Sequence, residues 1–197
     1  MYKVLGNSER GIVFIVSAPA GTGKTTLVRK LCDEFDCVVE STSYTTRTKR
    51  KNEVEGRDYY FITEEEFRQK ISDGEFLEYA KVFGYYYGTS RHTVEELRQH
   101  QKHVILVIDT QGMQQLQGFE AVTIFISPPN LDELKRRLTS RKSESVESVE
   151  YRLSWAEREI ATASNYDYHI INDHLETAYD VLRSIFIAEE HRTKRLQ

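Results

Sequence analysis

Between residues 11 and 17 the chain reads GIVFIVS, an unbroken β-branched and aromatic run. Such a run predicts a strand buried on both faces, as in a parallel sheet. Three shorter apolar runs, at 104–108, 122–126 and 168–171, predict further strands of the same kind. Helical spacing lies between or after them. Leu27, Leu31 and Phe35 fall i, i+4, i+8 on one face of a helix over 24–35. Asn130 followed by Glu133 opens another in capping style, carrying Leu131, Leu134 and Leu138. Two more cover about 146–163 and about 175–191, the second with Tyr179, Leu182, Ile185 and Phe186. Strand alternating with helix predicts an α/β three-layer sandwich around a parallel sheet core.

The middle of the chain breaks that alternation. Short aromatic strands are predicted at 58–62, 76–82 and 85–87, with one helix opened by the capping box TEEE at 63–66. This reads as an inserted small α+β lobe. A second interruption, 140–148, is polar and charged between two helices, which suits either a mobile lid or a plain solvated connection. The expected organisation is one domain over 1–197, with a core at about 11–40 and 101–192, the lobe at about 41–90 and the lid at about 140–148.

Composition narrows the partners. The net charge is −4, whereas a nucleic-acid binder is expected to carry a basic face. The longest aliphatic or aromatic runs fall far short of the roughly 20 residues that span a bilayer, and residues 1–11 hold no apolar stretch suited to a secretory signal. The expectation is a soluble, cytoplasmic protein without nucleic-acid or membrane partners. Cys32 and Cys37 match no metal or disulfide framework and are read as reduced thiols. The six histidines show no ligand spacing, and His100 and His103 are expected at the surface. Trp155 is expected in the core or at a helix interface, and the tyrosines of 85–87 are expected to pack in the small lobe.

The strongest chemical signal is SAPAGTGKTT at 17–26, between the first strand and the first helix. Gly21 and Gly23 let the backbone curl its N–H groups toward an anion, and the helix adds its positive end. Lys24 is placed to reach β- and γ-phosphates, and the Thr25 hydroxyl to ligate Mg²⁺. Ala18 stands where the pattern wants glycine, which is tolerable if that residue keeps negative φ. The loop, Ala18, Pro19, Ala20, Gly21, Thr22, Gly23, Lys24, Thr25 and Thr26, is the candidate ATP site.

A second cluster, SYTTRTKRK at 43–51, sets Arg47 and Arg50 three apart beside hydroxyls. Two guanidiniums with Tyr59 would make a phosphomonoester clamp; the same cluster also reads as a basic surface loop or an RNA-contact patch. Further on, GEFLEYA (74–80) and GYYYGT (84–89) add an acid, aromatics and a hydroxyl. With IDTQG (108–112), Arg141, Arg152 and IND (171–173), these segments resemble, in order, the guanylate kinases, nucleoside monophosphate kinases that phosphorylate GMP from ATP. The resemblance covers about residues 11–190.

The resemblance implies a role for each matching residue. Arg47, Arg50, Tyr59 and Tyr87 would hold the GMP phosphate. Ser43, Glu78, Thr89 and Asp109 would read the guanine. Lys24, Arg50, Arg141 on the lid and Arg152 would neutralise the transferring phosphoryl group, and Asn172 and Asp173 would lie beside the adenine. Mg²⁺ with ATP, and GMP or dGMP as acceptor, complete the expected set. The chain departs from the family pattern at Ala18, Ala20, Lys49, Asn52 and Val107. These changes remove no charged catalytic residue, so altered kinetics rather than lost activity are expected. Two other readings use the same residues: a non-catalytic phosphopeptide-binding module, which typically lacks phosphate-loop or arginine elements, and a ribose bisphosphate kinase, which has no need of the guanine-reading set.

Overall fold

Val13 and Ile15 point to one side of the first strand, Phe14 and Val16 to the other, and helices cover both sides. In the computed structural model, which describes residues 2–140 and 146–193, this strand is β1 (Val13–Ser17). It is followed by α1 (Lys24–Glu34), β2 (Val38–Glu40), β3 (Tyr44–Thr45), β4 (Tyr60–Phe61), α2 (Glu64–Ser72), β5 (Phe76–Val82) and β6 (Tyr85–Ser90). Then come α3 (Arg91–Gln99), β7 (His103–Val107), α4 (Thr110–Gln115), β8 (Val122–Ser127), α5 (Leu131–Thr139), α6 (Val146–Ala161), β9 (Tyr168–Ile171) and α7 (Leu175–Glu190).

Five strands form one sheet in the order β2-β7-β1-β8-β9, and every neighbouring pair is parallel. The fold is therefore α/β, with a parallel sheet between helical layers. Leu27 and Leu31 of α1 and Leu182 and Phe186 of α7 bury one face, where Phe14 and Phe186 stack. Val94 of α3 and Leu116 after α4 bury the other with Leu106 and Ile108. Leu134 and Leu138 of α5 pack on Val149 and Ala156 of α6, while Leu131 stays exposed.

The second sheet, β4-β3-β6-β5, stands apart from the first. Its α2 carries the capping box expected from the sequence, with Glu66 and Thr63 bonding reciprocally. Phe67 stacks between Phe76 and Tyr86, giving this small sheet its own aromatic centre.

Several local expectations change. The strand expected at 58–62 is only Tyr60–Phe61, and the one expected at 85–87 runs on to Ser90. The helices α3 and α4 and the short strands β2 and β3 were not predicted; α3 nonetheless packs Val94 and Leu97 on the core. Asn52 is not in the left-handed region, so no glycine-like conformation is needed there. Ala18 keeps out of it too, which is why its methyl is accommodated.

His103 requires a correction: it is buried, not at the surface. Ile12 donates its N–H to Nδ1 at 3.2 Å, so Nε2 carries the proton and donates to Glu190 at 2.7 Å. Glu190 also accepts from the backbones of Gly6 and Asn7. A neutral imidazole with both nitrogens bonded is tolerated in a core, where an unpaired one would not be. Among the described residues, no helix is long and apolar enough to cross a membrane.

Candidate active site

The turn leaving β1 is shaped by two left-handed glycines, Gly21 and Gly23, each at φ 90°. Gly23 is also a close approach: a Cβ there would lie 2.6 Å from Nδ2 of Asn172. That amide donates to the Thr22 carbonyl at 2.6 Å, and Thr22 bonds back to the Pro19 carbonyl at 2.9 Å. Asn172 is buried and its own carbonyl accepts from Arg137 at 3.0 Å. Its side chain therefore braces the loop, whereas Asp173 is exposed beside it. Thr25 and Thr26 stand exposed on the first turn of α1.

Lys24 reaches back over the loop, its Nζ 3.5 Å from the Ala18 carbonyl. Burial pulls its pKa below the ordinary lysine value, opposed by the carboxylates of Glu159, Asp109 and Glu40. Lys24 and Asp109 line two adjoining cavities. One, of about 190 Å³, is walled by Ala18 and Ala20 of the loop, Val82 and Phe83 of the small lobe, and Arg152, Trp155 and Glu159 of α6. The other, of about 150 Å³, is walled by Ser43, Tyr59, Glu78, Tyr87 and Val107. The parallel sheet produces this meeting, because the ends of β1 and β7, which deliver Lys24 and Asp109, lie side by side.

Glu78 is the chemical centre of the second cavity. Strand alternation puts Glu78 on the buried side of β5 with Phe76 and Ala80, next to a register shift between Phe76 and Glu78, and the residue is 4% exposed. Burial raises its pKa to about 7 against a Thr89 hydrogen bond that lowers it, with Asp109 adding a like charge. The Thr89 hydroxyl donates to Oε1 at 2.5 Å. Asp109 accepts the N–H of Gly112 at 2.8 Å and so caps α4. Gln115, at the end of α4, pairs with both the N–H and the carbonyl of Tyr79. This clasp ties the edge strand β5 to the main core one residue from Glu78.

Arg47 lies over the Tyr59 ring with 5.4 Å to the centroid, and Tyr59 meets Tyr87 edge-on at 5.8 Å. Glu53 grips Arg47 with bonds of 2.7 and 3.1 Å and accepts the Arg50 N–H at 2.8 Å. The Arg50 side chain is exposed, as is Lys49 beside it. Arg47 and Glu53 draw each other's pKa apart, Glu53 being lowered chiefly by its bond to Arg47.

Ser43, Arg47, Tyr59, Glu78, Tyr87, Thr89 and Asp109 are thus brought to one side of Lys24, and Arg152 to the other. Arg141 and positions 141–145 of the expected lid lie outside the described residues. Trp155 is half-buried and faces the cleft rather than the core. Of the 85–87 tyrosines, Tyr86 stacks on Phe67 while Tyr85 is exposed. Glu159, Glu53, Gly112 and Gln115 carry no assignment from the sequence. Glu159 had a legible signal: 152, 155 and 159 follow i, i+3, i+7 along α6 and share its cleft face. Burial raises the Glu159 carboxyl to about 7, with Lys24 opposing.

A roomier cavity, about 820 Å³, opens at the other end of the sheet between Ile12, Arg98, Val122 and Glu189. It contains no phosphate loop, and Arg98 there is tied to the Gly11 carbonyl at 3.0 Å.

Comparison with known proteins places the chain in one family. The family model described as guanylate kinase matches residues 10–189. The guanylate kinase of Protochlamydia amoebophila is 61% identical over 191 residues, covering 96% of this chain and 97% of that protein. That of Geobacter sulfurreducens is 47% identical over 190 residues, covering 95% and 94%. The crystal structure of guanylate kinase from Anaplasma phagocytophilum superposes with a TM-score of 0.78 at 36% identity, covering 94% of this chain and 89% of that one.

Proposed function

This chain belongs to the guanylate kinase family, and on that premise we propose how its cleft moves a phosphoryl group from ATP to GMP. The reaction yields ADP and GDP. An oxygen of the GMP phosphate forms a bond to the γ-phosphorus of ATP as the bond from that phosphorus to the β,γ-bridging oxygen breaks. The electron pair stays on ADP. The acceptor oxygen is already anionic near neutral pH, so the protein's task is alignment and charge neutralisation.

In this reading the backbone N–H groups of 18–26 cradle the ATP phosphates, and Lys24 spans donor and acceptor from the boundary of the two cavities. Arg50 and Arg152 neutralise charge on the transferring group, and Arg141 joins them. Asn172 contributes to ATP binding by holding Thr22 in place, with Asp173 at the outer edge. Arg47, Tyr59 and Tyr87 take the GMP phosphate, with Glu53 fixing the fork of Arg47. The exposed Thr25 hydroxyl is a hard oxygen donor suited to Mg²⁺ bound with the ATP phosphates. When bound, that ion supplies positive charge to the β- and γ-oxygens.

The observation that carries the reading is Glu78, a carboxylate 4% exposed and facing the cavity beside Lys24. Guanine offers two adjacent donors, N1–H and the 2-amino group, which a carboxylate accepts together. AMP has no such pair and would leave Glu78 without its two donors, the difference from which a preference for GMP arises. Ser43, Thr89 and Asp109 complete the base-reading set. dGMP, with the same base and phosphate, is expected to serve as acceptor, and the working compartment is expected to be the cytoplasm.

The test is ADP release from ATP and Mg²⁺ with GMP, dGMP, AMP, UMP or ribose 1,5-bisphosphate as acceptor. Turnover that depends on GMP, with little on AMP, supports the reading. Turnover on the bisphosphate alone would mean that the second cavity is misread. Binding of GMP or a phosphopeptide without any turnover would favour an interaction module.

A further inference from the structure

The hairpin between β5 and β6 turns through Phe83 at φ 50°, a left-handed conformation that a bulky side chain rarely adopts. Glycine, asparagine or aspartate would make such a turn with less strain. The ring is also 48% exposed at the tip of the small lobe. Neither property helps the hairpin fold. What the ring does is reach across the cleft to α6. It meets Tyr151 edge-on at 5.7 Å and Trp155 at 6.5 Å, and those two meet each other at 6.3 Å. The Arg152 guanidinium carbon lies 5.7 Å from the centroid of the same ring. Phe83, Arg152 and Trp155 together form one wall of the cavity that holds Lys24.

We propose that Phe83 is a positioning residue for phosphoryl transfer: the hairpin tip is an aromatic latch that closes on Tyr151 and Trp155 and holds Arg152 over the cleft. The inference rests on the reading of the small lobe as the GMP site and of Arg152 as a neutraliser of the transferring group. The link is mechanical. Glu78 and Ala80 lie on β5 and Tyr87 and Thr89 on β6, the two strands that Phe83 joins, and these pair along their length. A nucleotide seated on those strands therefore fixes the position of the tip. The tip in turn offers Arg152 an aromatic face, with the guanidinium carbon 5.7 Å from the Phe83 centroid, which restricts where that charge can sit. Acceptor binding and arginine placement become one event, so the charge that stabilises transfer is organised when there is something to transfer to.

Phe83→Gly tests the latch without endangering the fold, since it removes the ring and suits the left-handed φ. Trp155 is the sole tryptophan of the chain, so its emission reports the contact directly. In the full-length variant, calorimetry should give GMP affinity close to the parent's and an unchanged KM for ATP. At the same time kcat should fall about tenfold, the scale of a lost cation–π contact in a desolvated cleft. The change in Trp155 emission when GMP is added to the parent should vanish in Phe83→Gly and return in Phe83→Tyr. Parental kcat in Phe83→Gly, or a GMP-induced emission change that survives loss of the ring, would overturn the latch. So would a loss shared by kcat, both KM values and the melting temperature, which is the mark of a structural role alone. Failure of the parent to bind GMP is a different result: it overturns the reading of the small lobe, and the latch falls with it.

Discussion

A methyl group on Gly112 would lie 2.3 Å from Oε2 of Glu78. The first turn of α4 and the Glu78 carboxylate of β5 therefore fit together only because position 112 has no side chain. Asp109, which caps the same turn, adds its charge to the desolvation that raises the Glu78 pKa.

Gly112→Ala separates stability from recognition. In an ordinary helix the change is favourable by about 1 kcal/mol. Here the methyl must displace Glu78, so KM for GMP should rise on the order of tenfold, the size of one lost buried hydrogen bond. KM for ATP should stay near the parent's, and the preference for GMP over AMP should shrink. Steady-state kinetics with both acceptors checks this; an unchanged KM for GMP would show that the carboxylate can yield without loss.

Glu78 also makes the ligand-free protein sensitive to pH. Its folded pKa of about 7 lies above the ordinary 4.5, so between those values the folded state binds more protons than the unfolded one. Stability from this group is thus lost as pH rises through that window, by a few kcal/mol at most. Denaturant midpoints at about pH 5 and pH 8 should differ less in Glu78→Gln than in the parent. If Glu78 reads the guanine as proposed, GMP binding favours its ionised form, so calorimetry near pH 6 in two buffers should detect a proton release that is smaller in Glu78→Gln, the remainder coming from the GMP phosphate.

Lys24→Met removes a buried ammonium that burial already disfavours. The folded protein should melt at the parent's temperature or above it, because the desolvated charge is gone. Transfer should fall by about 10³ or more, since positive charge aimed at the transferring oxygens is lost. GMP binding should persist. Turnover near the parent's rate would remove Lys24 from the chemistry.

Glu190 gives the opposite pattern. It accepts from Gly6, Asn7 and His103 at the base of the sheet, far from the phosphate loop. Those bonds hold its pKa below the ordinary value despite burial. Its stabilisation is present above the unfolded carboxylate pKa and disappears as pH falls through the folded one. Glu190→Gln should cost roughly 2 kcal/mol at neutral pH and steepen no kinetic parameter. Urea titration and an activity assay on the same sample test both halves, and a large fall in kcat with intact stability would contradict it.

The parallel sheet and its helices were legible because continuous apolar runs such as 12–16 and 104–108 permit little else. The turn between β1 and α1 was legible because its glycines sit at fixed spacing between a strand and a helix, and both take the left-handed conformation. The elements that escaped were α3, α4, β2 and β3: α4 and the two strands are very short, and α3 packs only Val94 and Leu97 on the core as apolar residues. His103 escaped for a related reason: its burial is made acceptable by Glu190, which lies 87 residues away in sequence.

The amino-acid sequence by itself determined the α/β core, the loop around Lys24 and the set of charged and hydroxyl residues along 43–109. The tertiary structure decided which of them meet. The pairing of Glu78 with Thr89, the close approach of Gly112 to Glu78, the clasp of Gln115 on Tyr79 and the reach of Phe83 to Arg152 are contacts between segments apart in the chain. Local propensity carries no information about such contacts, because they arise only when packing of the core brings their backbones within a few ångströms of each other.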